Sequence, residues 1–173
     1  ADAGIMISAS HNPAEYNGIK IFSGDGYKIP DALEEQIETL VLDEEIPENL
    51  SGTDIGKVTY ANNAVRDYVE HLKSTVMNSL DGLNIAVDCA NGSASVSAEM
   101  LFKELGANAD ILHNKPNGIN INRNCGSTHI ELLREYVLSN KLDAGVAYDG
   151  DADRCIAVDE KGNMVIYGPP GTG

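Results

Sequence analysis

The chain has 173 residues and a formal net charge of −15. Such a charge argues against a nucleic-acid partner, because phosphate backbones are gripped by clustered Lys and Arg; an acidic chain that binds a phosphate ester needs a local cation or a bound metal. No stretch approaches the ~20 apolar residues of a membrane span, and the opening ADAGIMISAS has neither the basic segment nor the long apolar core of a signal peptide.

In chain order, Ile5 to Ile7 reads as a buried strand running into a polar loop, Ser8 to Asn17. Gly18 to Ser23 reads as a second strand, and Gly24-Asp25-Gly26 as a turn. Pro30-Asp31 opens a helix with Leu33, Ile37, Leu40 and Val41 on one face and acidic residues in its first turn. A polar connection from Pro47 to Lys57 follows. A long amphipathic helix, Asn63 to Leu80, carries Val65, Tyr68, Val69, Leu72 and Val76 at helical spacing.

From Gly82 the pattern becomes regular. Strands are expected at Asn84–Asp88, Ala109–His113, Asp143–Tyr148 and Cys155–Val158. Helices are expected at Ser95–Leu105, closed by Gly106, and at Thr128–Asn140, with Ser127 or Thr128 as its cap; Asp159–Asn163 reads as a hairpin turn. Alternating strands and helices indicate an α/β fold with mixed or parallel sheets and flanking helices. In such sheets the working loops lie beyond the carboxyl ends of the strands, where Asp88-Cys89-Ala90-Asn91-Gly92 and Tyr148-Asp149-Gly150-Asp151 fall. The cysteines are Cys89, Cys125 and Cys155. An odd number without metal-type pairing reads as free thiols in a reducing cytoplasm, each a small buried hydrophobe.

Two motifs carry chemistry. Asp149-Gly150-Asp151-Ala152-Asp153-Arg154 places three carboxylates at alternate positions. They can converge if the loop curls, which Gly150 permits, and a hard divalent cation then relieves their repulsion. An EF-hand is excluded, because apolar strands rather than helices flank the loop; a solvated acidic turn is the bland alternative. Arg154 adds a fork for phosphate oxygens. The second motif, Ser8-Ala9-Ser10-His11-Asn12-Pro13, follows a buried strand and suggests a nucleophile or phosphate carrier. It lacks the Gly-x-Ser-x-Gly elbow of an acyl-transfer hydrolase. Serine, divalent metal and arginine together form a set of parts for phosphoryl transfer.

Ile7-Ser8-Ala9-Ser10-His11-Asn12-Pro13 with Asn17-Gly18-Ile19-Lys20 resembles the active-serine signature of the α-D-phosphohexomutase superfamily, and Asp149 to Arg154 resembles its metal loop. The resemblance implies residues 1–60 as the end of that family's domain 1, 61–81 as a linking helix and 82–167 as domain 2. It implies that Ser10, not Ser8, is the phosphorylated serine. Asp149, Asp151 and Asp153 would hold Mg²⁺ together with a phosphoserine oxygen of Ser10. Arg154 would steady the phosphate, while His11 and Lys20 would serve acid/base work on the sugar hydroxyl.

Gly118-Ile119-Asn120-Ile121-Asn122 with Cys125-Gly126-Ser127-Thr128-His129 resembles the phosphoglucosamine mutase branch, with the phosphomannomutase and phosphoglucomutase branches as alternatives. That branch implies a cytoplasmic Mg²⁺ enzyme acting on a sugar phosphate, and it admits a homo-oligomer. Both ends look cut from a longer enzyme, so turnover by this chain alone is not expected. Residues 168–173, GPPGTG, resemble the first part of a Walker A loop without its Lys and do not resemble the family. A metal-dependent phosphatase would need an aspartate nucleophile where Ile5 to Ala9 offers serine, and a non-catalytic binding module is the remaining reading.

Overall fold

In the second half of the chain, short apolar runs recur one after another, each followed by turn chemistry. A computed structural model describes residues 1–43, 52 and 55–165. The Walker-like tail, 168–173, lies outside the described residues, as does most of the expected connection from Pro47 to Lys57. The chain divides into two compact units, Ala1–Ile7 with Ile19–Asn62, and Ser8–Gly18 with Asn63–Gly173.

Strands β1 (Ala3–Ser8) and β2 (Gly18–Ser23), which belong to the first unit except for Ser8 and Gly18, form a two-stranded sheet. Beyond β2 the chain turns as expected: Gly26, at φ 84°, donates its N–H to Ser23 O. Helix α1 (Asp31–Leu42) starts at Pro30 with Asp31 and Glu34 in its first turn, where the helix dipole favours anions. Among the described residues its apolar face is open: α1 has no buried residue, and Leu33 and Val41 are exposed.

Besides the Ser8–Gly18 segment, the second unit contains α2 (Ala64–Thr75) and a five-stranded sheet in the order β4-β3-β5-β6-β7. The strands are β3 (Asn84–Asp88), β4 (Asn108–Leu112), β5 (Ala144–Tyr148), β6 (Cys155–Asp159) and β7 (Met164–Val165). Both β4 and β5 run parallel to β3, whereas β5–β6 and β6–β7 are antiparallel. The sheet is therefore mixed. A parallel neighbour needs a long crossover, which α3 (Ala98–Glu104) and α4 (Glu131–Asn140) supply, while the short Asp149–Arg154 loop can only reverse the chain. Side chains of β3 alternate between two cores. Ile85 and Val87 pack with Ala98 and Phe102 of α3, and Ala86 packs with Leu133 and Val137 of α4.

Three helix boundaries differ from the sequence expectation. Helix α2 stops at Thr75, not Leu80. The Ser74 and Thr75 hydroxyls turn back onto His71 O and Leu72 O, at 2.6 and 2.7 Å, competing with helix continuation. Helix α3 begins only at Ala98, after a 3-10 turn over Ser93–Val96 whose first N–H is drawn to Gly150 O. Helix α4 begins at Glu131, and neither Ser127 nor Thr128 caps it. The Ser127 N–H goes instead to Tyr148 O at 2.8 Å. Gly106 closes α3 as expected: at φ 89° it donates to Lys103 O, and Ala107 donates to Phe102 O, which completes a Schellman motif.

Helix α2 packs on α3 and shares a charged cluster with it, and Val69 of α2 is buried. Glu104 accepts from Arg66 and from Lys73, the latter at 2.6 Å. Cys89 and Cys125 are buried free thiols, as expected, but Cys155 is exposed. Among the described residues, no helix is long and apolar enough to cross a membrane.

Candidate active site

The site is built where β3 and β5 end side by side. Because β4 lies on one side of β3 and β5 on the other, their carboxyl ends form the switch point at which ligands of such sheets bind. The two following loops touch. Ser93 donates its N–H to Gly150 O at 2.8 Å, and a Cβ on Gly92 would lie 2.3 Å from the same oxygen, so only glycine fits there.

Asp149, Asp151 and Asp153 converge as their spacing predicted, each offering a carboxylate oxygen within 4.8 Å of the others. Asp149 is fully buried. Its Oδ1 accepts the Arg154 N–H at 3.2 Å, and its Oδ2 is buried without a hydrogen-bond partner. The Arg154 Nε stands 4.0 Å from that oxygen. Burial pushes the Asp149 carboxyl above the usual carboxylate range, and the charges of Asp151 and Asp153 push it the same way. Three carboxylates, one of them with an orphaned buried oxygen, fit a hard divalent cation such as Mg²⁺.

The serine loop rests directly on this acidic loop. Ser10 O accepts the Gly150 N–H at 3.0 Å, and a Cβ on Gly150 would come within 2.3 Å of Ser10 O. Ser10 is left-handed, at φ 50°, a region sparsely used by residues with a Cβ. The two serines of the motif are not equivalent. Ser8 Oγ accepts the Ser10 N–H at 2.9 Å and so shapes the turn, while Ser10 Oγ stands 3.5 Å from His11 Nδ1. Lys20 lies on β2, in the first unit.

Sequence profiles of phosphoglucomutase/phosphomannomutase alpha/beta/alpha domains I and II match residues 1–47 and 66–162. The chain belongs to the phosphoglucomutase/phosphomannomutase family. It is 54% identical, over 95% of its length, to a phosphoglucosamine mutase of Clostridium botulinum (strain Hall) and 55% identical, again over 95%, to one of Clostridium beijerinckii. It spans 37% of the length of each of these relatives. A solved structure of a family protein from Burkholderia thailandensis superposes with a TM-score of 0.75 at 24% identity, covering 95% of this chain and 35% of that one, which shows the shared fold.

Asp88 and Asn122 hold the loops around this site, a role that the sequence motifs do not indicate. The sequence places Asp88 at the start of a working loop but gives its side chain no role; its buried carboxylate accepts the N–H groups of Ala90 and Gly126, both at 2.9 Å. It thereby joins the loop after β3 to the Cys125–His129 run. The His113 Nδ1 stands 3.0 Å from Asp88 Oδ2. With Cys125 these residues form a second group of metal-type donors; both Asp88 oxygens, however, already accept backbone N–H groups. Asn122 was read only as part of a branch signature, yet its Nδ2 donates to Ser10 O and Asn12 O, at 2.7 and 2.8 Å. Only the apolar-polar-apolar setting of Asp88 inside a buried strand could have flagged the first; nothing local flags the second.

Proposed function

We propose that this chain carries the phosphoryl-donor part of a phosphoglucosamine mutase, which interconverts glucosamine 6-phosphate and glucosamine 1-phosphate. The observation that carries the proposal is the Ser10 carbonyl hydrogen-bonded to the Gly150 N–H of the triple-aspartate loop. A serine and a cation site are useful to each other only if held together. The choice of sugar rests on identity of 54% and 55% to the clostridial phosphoglucosamine mutases.

In this reading Ser10 carries a phosphoryl group. The bond from Ser10 Oγ to phosphorus breaks as the sugar oxygen takes the phosphoryl group, and the sugar hydroxyl gives up its proton to a base, for which His11 and Lys20 are the candidates. The resulting bisphosphorylated sugar turns over and returns its other phosphoryl group to Ser10. Asp149, Asp151 and Asp153 would hold Mg²⁺, which when bound neutralises charge on the transferring group. Arg154 offers its guanidinium to the same oxygens. The chain by itself is not expected to turn over substrate, since it spans 37% of its relatives' length.

Intact-mass measurement tests the donor role. After incubation with a hexose bisphosphate and Mg²⁺, a species heavier by one phosphoryl group is expected in the wild type and in Ser8→Ala, and none in Ser10→Ala. A phosphorylated Ser10→Ala chain, or an unmodified wild type, counts against the proposal.

A further inference from the structure

Asn122 is 6% exposed, unusually buried for its residue type. Its peptide N–H donates to Ala90 O at 2.8 Å, so its backbone is anchored to the loop after β3. Its side chain reaches the serine loop and donates on either side of His11, to Ser10 O and Asn12 O. The amide orientation is fixed by its partners: a flipped amide would set its oxygen against two carbonyl oxygens. In the orientation that satisfies the serine loop, Asn122 Oδ1 is left buried without a hydrogen-bond partner. Asn122 itself sits at φ 56°, which asparagine accepts more readily than most residues.

Ser10 is the residue that needs such help. Its left-handed backbone and its carbonyl bond to Gly150 N–H must both persist for the Ser10 backbone to stay seated on the acidic loop. Resting on the reading of Ser10 as phosphoryl carrier, we infer that Asn122 is a positioning residue: it holds the serine loop on the Asp149 loop and acts on phosphoryl transfer only through Ser10. The link runs from β3 through Ala90 and Asn122 to Ser10. The Asn-Ile-Asn run therefore does mechanical work at the site, besides marking a branch of the family.

Two variants of the chain test this. Asn122→Gly removes both side-chain donors while accepting the same backbone φ without strain. Asn122→Asp keeps the shape but presents oxygens where donors are needed. Amide hydrogen exchange followed by NMR is expected to quicken at Gly150, whose N–H lies on Ser10 O, by roughly tenfold or more in both variants, with the sheet amides of Ala86 and Val87 unchanged. The rate at which Ser10 takes a phosphoryl group from a hexose bisphosphate should fall by roughly tenfold or more, with the Mg²⁺ binding midpoint within about twofold of wild type. In that transfer the phosphoryl group leaves a sugar oxygen for Ser10 Oγ, and the serine proton ends on the sugar. Unchanged Gly150 exchange, or sheet amides that quicken by the same factor, overturns the positioning role. A wild-type chain that accepts no phosphoryl group counts against the proposed function instead, and the exchange rates then decide the clamp by themselves.

Discussion

The carbonyl of Ser10 and the amide of Gly150 meet at 3.0 Å, so the serine loop is seated on the backbone of the acidic loop itself. A methyl group at position 150 would come within 2.3 Å of Ser10 O and 2.6 Å of Ile121 Cδ1. The side chain of Ile121 can yield, but the Ser10 carbonyl is held by its own hydrogen bonds. Gly150→Ala is therefore expected to cost about 1–3 kcal/mol, the range for overpacking, read as a lower urea midpoint. It should also weaken Mg²⁺ binding, because the loop must open to admit the methyl group. A variant with wild-type midpoint and Mg²⁺ affinity would show that the two loops are not seated together.

Asp149 is destabilising when charged and metal-free. Its folded carboxyl lies above the ordinary carboxylate range because it is buried beside two other carboxylates. The stability it contributes is full below the unfolded value and is lost as pH rises through the raised folded one. Metal-free Tm should fall over that window, and Mg²⁺ should restore it at neutral pH, with EDTA reversing the gain. Asp149→Asn keeps an acceptor for the Arg154 N–H and removes the charge. It should raise metal-free Tm by about 2–4 °C and abolish the Mg²⁺ response. A variant that still responds to Mg²⁺ would place the cation elsewhere.

Asp88 ties two loops to one carboxylate. In Asp88→Asn one oxygen can still accept an N–H, but the amide nitrogen faces the other donor. A buried donor left unmade costs about 1–3 kcal/mol, so the variant should unfold at lower urea. Because Gly126 borders Tyr148 O, with only 2.6 Å from its Cβ position to that oxygen, the loosening should reach the acidic loop and lower Mg²⁺ affinity too. Unaltered stability would mean that these N–H groups find water.

The thiols should separate by burial. The Cys89 thiol is pushed up to about 12 and the Cys125 thiol to about 11, chiefly by burial. Thiolate is the reactive form. Cys155 is exposed. A thiol reagent should therefore label Cys155 first in the native protein and all three cysteines in denaturant. Mass spectrometry of labelled peptides checks the order, and early labelling of Cys89 would contradict a closed core.

Much of the site was legible because its parts are local. The aspartates at alternate positions, the glycine between the first two, and the serine before His-Asn-Pro lie within single loops, so the side-chain types and spacing of Asp149 to Arg154 allow a convergent carboxylate set, which the folded loop adopts. Strands β3 and β5 were equally plain, since apolar runs bounded by turn residues need no distant partner to be recognised. Helix ends were less so. Ser127 and Thr128 have the side chains of caps, but α4 starts only after Ile130, while the N–H groups of Ser127 and Ser93 go to Tyr148 O and Gly150 O. What only the tertiary structure decided is the holding of Ser10. Its contacts come from Gly150 and Asn122, more than a hundred positions away in the chain, and from an Asp88 that fastens the intervening loops. Sequence spacing carries no information about such contacts, because they exist only once β3 and β5 lie side by side and bring their carboxyl ends together.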